Sequence, residues 1–107
     1  MSKDRFKFRF WNKLRNNYEN TYDLKSFEVL DYVIAEQCTG LKDKNGNLIY
    51  EGDIIEDDNT KSDTGVVVWS RAGFKVKMYR YNQIVNIKKN IRVIGNIHEE
   101  QTDVAED

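Results

Sequence analysis

The chain has 107 residues, with 17 lysines and arginines against 18 aspartates and glutamates, a net charge of -1, one cysteine, one histidine and no proline. This length fits one domain around a single core, and one cysteine with one histidine rules out an internal disulfide and a cysteine-rich zinc site. No run of 18 apolar residues could cross a membrane as a helix, and neither GxxxxGK[ST] nor GxGxxG is present to cradle a phosphate.

Residues 1–15 alternate charged and aromatic side chains and lack an apolar h-region, so no signal peptide is expected. Within them FKFRFW, residues 6–11, has period 2, the mark of a half-buried strand. Phe6, Phe8 and Phe10 share one face, and Lys7, Arg9 and Trp11 the other. The phenylalanines are the expected buried face, each contributing roughly 1.5–3 kcal/mol. Trp11, on the polar face, is expected to pack on the next element or at a subunit interface. Residues 12–20 are polar and asparagine-rich, as in a turn. Residues 24–36 fit two patterns. Leu24, Phe27, Leu30 and Ile34 make a helical stripe that Asp23 could cap. Val29, Tyr32, Val33 and Ile34 equally suit a strand running on to Gln37 and Thr39. Mixed structure is expected there.

Gly40 and Lys44-Asn45-Gly46 mark chain reversals, Asn-Gly supplying the positive φ of a tight hairpin. Ile49 and Tyr50 form a short apolar pair before Gly52. Residues 53–56 then read as a strand and 57–63 as an exposed acidic loop. Four more β-rich runs follow at 65–69, 74–78, 83–87 and 91–97. Five short strands with short links are the signature of a small sandwich or barrel. The end, EEQTDVAED, has little apolar content and is expected to be a disordered acidic tail. The whole is read as one domain of residues 1–107. Residues 1–49 supply an N-terminal strand, a mixed segment and a hairpin, residues 50–98 a barrel, and residues 99–107 the tail.

The near-neutral sum hides a segregation of charge. Residues 1–15 carry +5, 16–36 carry -4, 37–63 carry -4, 64–98 carry +7 and 99–107 carry -5. No carboxylate lies between Asp63 and Glu99. Small domains normally intersperse the two signs.

Residues 37–55, QCTGLKDKNGNLIYEGDII, resemble the core signature of the YopX family of phage and prophage proteins. FRFW at 8–11 resembles that family's N-terminal K/R-F-R-x-W element, and VIGNIHE at 93–99, with Gly95, its closing V-I-G-N-I-Y-E element. The three occur in the family's order. Cys38 stands where the family often has an aromatic residue, and His98 where it often has tyrosine. The resemblance implies a mainly β fold: a small SH3-like barrel with the N-terminal strand and the mixed segment packed against it. It implies a phage context and no particular reaction.

Most conspicuous residues have a structural role available. Gly40, Gly46 and Gly52 suit positive φ or close approach, and Asp43 and Asp53 can accept bonds from turn amides. Ile49, Ile54 and Ile55 suit the core, with Tyr50 and Gly95 part of the same structural motif. A ligand site built from Asp43, Tyr50, Glu51 and Asp53 is the less favoured reading. Glu56, Asp57, Asp58 and Asp63 lack the alternate spacing of a calcium loop and read as a solvated hairpin loop. Cys38 reads as a small core residue and His98 as a surface residue at a strand end.

The acid-free stretch is the candidate binding region. Arg71, Lys75, Lys77, Arg80, Lys88, Lys89 and Arg92 could contact phosphates, while Trp69, Tyr79 and Tyr81 stack on bases. Lys75 and Lys77, two apart, share a strand face opposite Val76 and Met78. The alternative is that these cations pair with the acidic blocks. The leading expectation is therefore a non-catalytic binding module in a bacterial cytoplasm, for a protein partner or for its own copies. A nucleic-acid-binding barrel is the alternative. No catalytic residue, metal, cofactor, membrane contact or small-molecule substrate is expected.

Overall fold

The computed structural model describes residues 6–19, 31–58, 63–71 and 73–99. Its first four strands are β1 (Phe8–Asn12), β2 (Asn17–Glu19), β3 (Val33–Lys42) and β4 (Leu48–Tyr50). They form an antiparallel sheet in the order β2-β1-β3-β4. Asn12 fixes the first hairpin: its buried Oδ1 accepts the amides of Leu14 at 2.9 Å and Arg15 at 3.0 Å. The residues of the ambiguous 24–36 segment before 31 lie outside the described ones. Asp31 and Tyr32 are helical and β3 starts at Val33, so the strand pattern holds for its end.

β1 forms where its alternation places it, but the expected buried face is exposed at Phe6 and Phe8 and only half-buried at Phe10, while Arg9 and Trp11 turn inward. Phe6 is 72% and Phe8 47% exposed, whereas Trp11 is 9% exposed. The Arg9 and Trp11 face turns inward because carboxylates and a ring from three other segments wait for it there. Apolar alternation alone does not register such partners.

The second sheet holds β5 (Asp53–Asp57), β6 (Thr64–Ser70), β7 (Gly73–Met78), β8 (Ile84–Val85) and β9 (Ile91–Asn96). Its order is β8-β7-β6-β5-β9, antiparallel throughout. A register shift between Ile54 and Ile55 opposite β9 marks a bulge, which increases local twist and bends the strand. The sheet is a half-barrel, since β8 and β9, at its two ends, are not paired. Ile55, Val67, Val76 and Ile91 form its core, and Ile49 reaches into the same cluster from β4 of the first sheet. Val76 and Met78 face inward as expected, and Cys38 is fully buried.

The β3–β4 hairpin closes over the β9 edge. Asp43 Oδ1 accepts the amides of Asn45 at 2.9 Å and Asn47 at 2.8 Å within its own turn. Its Oδ2 accepts the amide of Val93 at 2.9 Å, and the Lys44 amide donates to the Ile91 carbonyl at 2.9 Å. Gly40, Gly46 and Gly52 all adopt the positive φ expected of them, 85°, 84° and 88°. Among the described residues no helix is long and apolar enough to cross a membrane.

Candidate functional site

The three segments that carry the family resemblance meet at the junction of the two sheets. Arg9 and Trp11 come from β1, Glu36 from β3, Asp53 from the start of β5, and His98 from the helical turn 97–99 after β9. The Arg9 guanidinium lies between two carboxylates, with Nε 2.8 Å from Glu36 Oε1 and Nη2 2.7 Å from Asp53 Oδ1. Glu36 also accepts from the Tyr18 hydroxyl at 2.9 Å and lies 3.1 Å from His98 Nε2. A carboxylate only accepts, so Nε2 carries the hydrogen here. The Arg9 guanidinium stacks over Tyr18 at 4.1 Å and Tyr50 at 4.7 Å.

Local structure aims each group. Asn96 Oδ1 accepts the amides of His98 at 2.9 Å and Glu99 at 3.2 Å, which caps that turn and orients the imidazole. The ring lies flat on Trp11, with centroids 4.3 Å apart and planes at 2°. Gly52 permits the approach of Glu36, since a Cβ there would stand 2.5 Å from Glu36 Oε2. Asp53 Oδ2 accepts the Tyr50 amide at 2.7 Å. Among the described residues, no buried side-chain nitrogen or oxygen lacks a hydrogen-bond partner.

Burial raises the Asp53 carboxyl, and Arg9 offsets that rise only in part. Burial also pushes the Tyr18 hydroxyl up, against the pull of Arg9, and it donates as a neutral phenol. Burial alone would lower the Arg9 guanidinium, but Asp53, Tyr18 and Glu36 together hold it above its ordinary value. These groups are mutually saturated, so the arrangement ties the sheets together. The sequence reading assigns no role to Tyr18 or Glu36 and puts His98 on the surface. Instead the His98 side chain is 9% exposed and stacked on Trp11 between elements. The available signal was a polar residue set in each apolar run: Arg9 between two phenylalanines, Asp53 before Ile54-Ile55, His98 after Ile97.

The structure divides the candidate binding residues. Ser70 pairs with Gly73 at one end of β6–β7 and Gly65 with Met78 at the other. Trp69 and Arg71 therefore lie at the first end, Trp69 edge-on to Phe74 at 4.9 Å. Tyr79, Arg80 and Tyr81 lie at the second end. Lys75 and Lys77 stand on the outer face of β7, where Lys75 Nζ donates to Asn86 Oδ1. Lys88 and Lys89 occupy the β8–β9 connection. Arg92 is engaged by Glu56, its Nε and Nη2 at 2.9 and 2.5 Å from one carboxylate oxygen, and Arg80 faces Asp63 at 4.0 Å. Arg71, Lys77, Lys88 and Lys89 make no ion pair among the described residues.

Where β8 and β9 fail to meet, a cavity of about 190 Å³ opens onto the half-barrel interior. Ile55, Val76 and Ile91 form its floor, and Asp57, Asp63 and Tyr81 stand among its lining.

A family model described as YopX protein matches residues 11–102. No curated protein matches the chain. Among solved structures, it is similar to the crystal structure of protein EF1440 from Enterococcus faecalis, with a TM-score of 0.66 and 23% identity over 89% of this chain and 94% of that one. At that identity the likeness speaks for the fold, a two-sheet β architecture. The family match spans both sheets and all the strand-borne residues of the junction from Trp11 onward, and the chain belongs to the YopX family.

Proposed function

We infer that the protein is a non-catalytic binding module, a phage or prophage accessory protein of the bacterial cytoplasm, whose partner is another protein or a second copy of the chain. The half-barrel is read as SH3-like, with docking at its open side. One observation carries this reading. The β9 edge is covered by Asp43 and Lys44, but no described strand pairs with the far side of β8, whose Ile84 is 58% exposed. A bare edge offers amides and carbonyls to an added strand, and an exposed apolar side chain beside it adds area.

The test is Ile84→Asp, assayed by sedimentation velocity and by recovery of a defined partner from lysogenic cells. The variant is expected to lose association while its unfolding midpoint stays in place. Association that survives the substitution overturns the reading. The nucleic-acid alternative draws on Arg71, Lys77, Lys88 and Lys89. Against it, Arg80 and Arg92 already face carboxylates, and Trp69 lies at the opposite end of the sheet from Tyr79 and Tyr81. It predicts retention on DNA or RNA that falls steeply with salt and is lost on Lys75→Glu with Lys77→Glu. Absence of retention at low salt would dismiss it.

A further inference from the structure

We propose that the cavity at the open side of the half-barrel seats one arginine side chain supplied by the protein partner. This rests on the docking reading, since Val85 of β8, whose far side no described strand pairs with, lines the same cavity. Size comes first. About 190 Å³ is several times the ~30 Å³ share of a single water. It is smaller than the roughly 300–1,000 Å³ of pockets for drug-sized ligands, so it suits one side chain.

The chemistry of the wall selects which one. The floor of Ile55, Val76 and Ile91 is aliphatic and matches a methylene stem. Among the described residues, the lining carries two carboxylates, Asp57 and Asp63, against one cation, Lys88. A phosphate or an acidic side chain would sit against those two carboxylates, with Lys88 of the lining and Arg80 beside Asp63 as the cations near it. A purely apolar side chain would strip water from the carboxylates and return no hydrogen bond. A guanidinium offers five donors in a planar fork, enough to reach carboxylates that keep their present neighbours. Among those neighbours are Asn90 Nδ2, 3.4 Å from Asp57 Oδ1, and Arg80, 4.0 Å from Asp63. Arg80 also shows what the lining accepts. Its guanidinium lies 5.4 Å from the Tyr81 centroid, so an arginine of the chain already addresses both Asp63 and Tyr81. With a side chain 60% exposed, it holds them loosely.

The full-length protein, labelled with ¹⁵N, is titrated with N-acetyl-arginine amide, N-acetyl-norleucine amide and guanosine monophosphate. The expected result is saturable shifts at the amides of Val76, Val85 and Ile91 with the arginine probe and not with the other two. Asp63→Asn is expected to weaken that binding about two- to fivefold, and Lys88→Ala to strengthen it by a similar factor. The comparison of probes on the unaltered protein decides the matter even if Asp63→Asn fails to fold. Norleucine amide binding as well as arginine amide overturns the proposal in favour of an apolar anchor. Binding of the nucleotide alone overturns it in favour of nucleic acid, and no shift with any probe overturns it outright. Because the probes are single residues that add no strand, these outcomes are independent of Ile84→Asp, which tests the docking reading itself.

Discussion

Asp43 connects the two sheets through one carboxylate. Burial would raise its pKa, but the amides of Val93, Asn47 and Asn45 hold it below the ordinary range. Asp43→Ala leaves those amides without an acceptor at a site 5% exposed, and a loss of about 2–4 kcal/mol is expected in denaturant unfolding. The pH dependence has a definite sign. A depressed folded pKa means stability that is complete above the unfolded value, about 3.9, and lost as pH falls through the folded one. Asp53 runs the other way, for its raised folded pKa makes the native state take up a proton sooner than the unfolded chain. Asp43→Asn is therefore expected to remove part of the acid-side decline in midpoint, and an unchanged decline would assign it to other groups. Gly52 is the second sensitive position. At φ 88°, with a Cβ that would stand 2.5 Å from Glu36 Oε2, Gly52→Ala strains the backbone and displaces a carboxylate shared by Arg9, Tyr18 and His98. A loss above about 2 kcal/mol is expected by thermal unfolding; one below 0.5, on the scale of a neutral surface change, would mean Glu36 moves aside freely.

At the scale of elements, β1 shows what periodicity can and cannot settle. Its alternation locates the strand, and the turn residues locate the hairpins around Asn12 and Gly46. The inward side is another matter, because it depends on Glu36, Asp53 and His98, none of them near β1 in sequence. A half-buried arginine looks like a surface one until its carboxylates are placed. The same reason hides His98, whose surroundings come from Trp11 and Glu36. The five runs of the second sheet are legible because their inward residues face one another within that sheet, and Val76 and Met78 follow. A direct comparison checks the inversion. Trp11→Ala removes a ring packed on Tyr18 at 4.9 Å and on His98 at 4.3 Å, and should cost about 3–5 kcal/mol. Phe8→Ala, at a residue 47% exposed, should cost less than about 1 kcal/mol. Equal losses in urea unfolding would refute the assignment of faces.

Across the whole molecule, the charge blocks are only partly cancelled. Within the basic block Arg92 and Arg80 face Glu56 and Asp63 of the preceding acidic block, and Lys44 faces Asp58. Pairs as exposed as these are worth about 0–1 kcal/mol each, so they shape the surface field more than they hold the fold. Arg9 with Glu36 and Asp53 is the buried counterpart that carries the sheet junction. The cations outside these pairs include Lys88 and Lys89, adjacent in the β8–β9 connection beside the open cavity. Reversing both, Lys88→Glu with Lys89→Glu, separates the roles of charge. Both side chains are exposed and outside any ion pair among the described residues, so stability should change by less than about 0.5 kcal/mol. Retention on a polyanion at low salt should fall if nucleic acid is the partner. Docking along β8 draws on backbone bonds and Ile84, and should persist. An arginine entering beside Asp57 and Asp63 should bind more tightly, since Lys88 is the cation that opposes it there. A variant that loses protein association together with polyanion retention would place one shared cationic surface at the centre of both, and would sink the docking edge along with its arginine pocket.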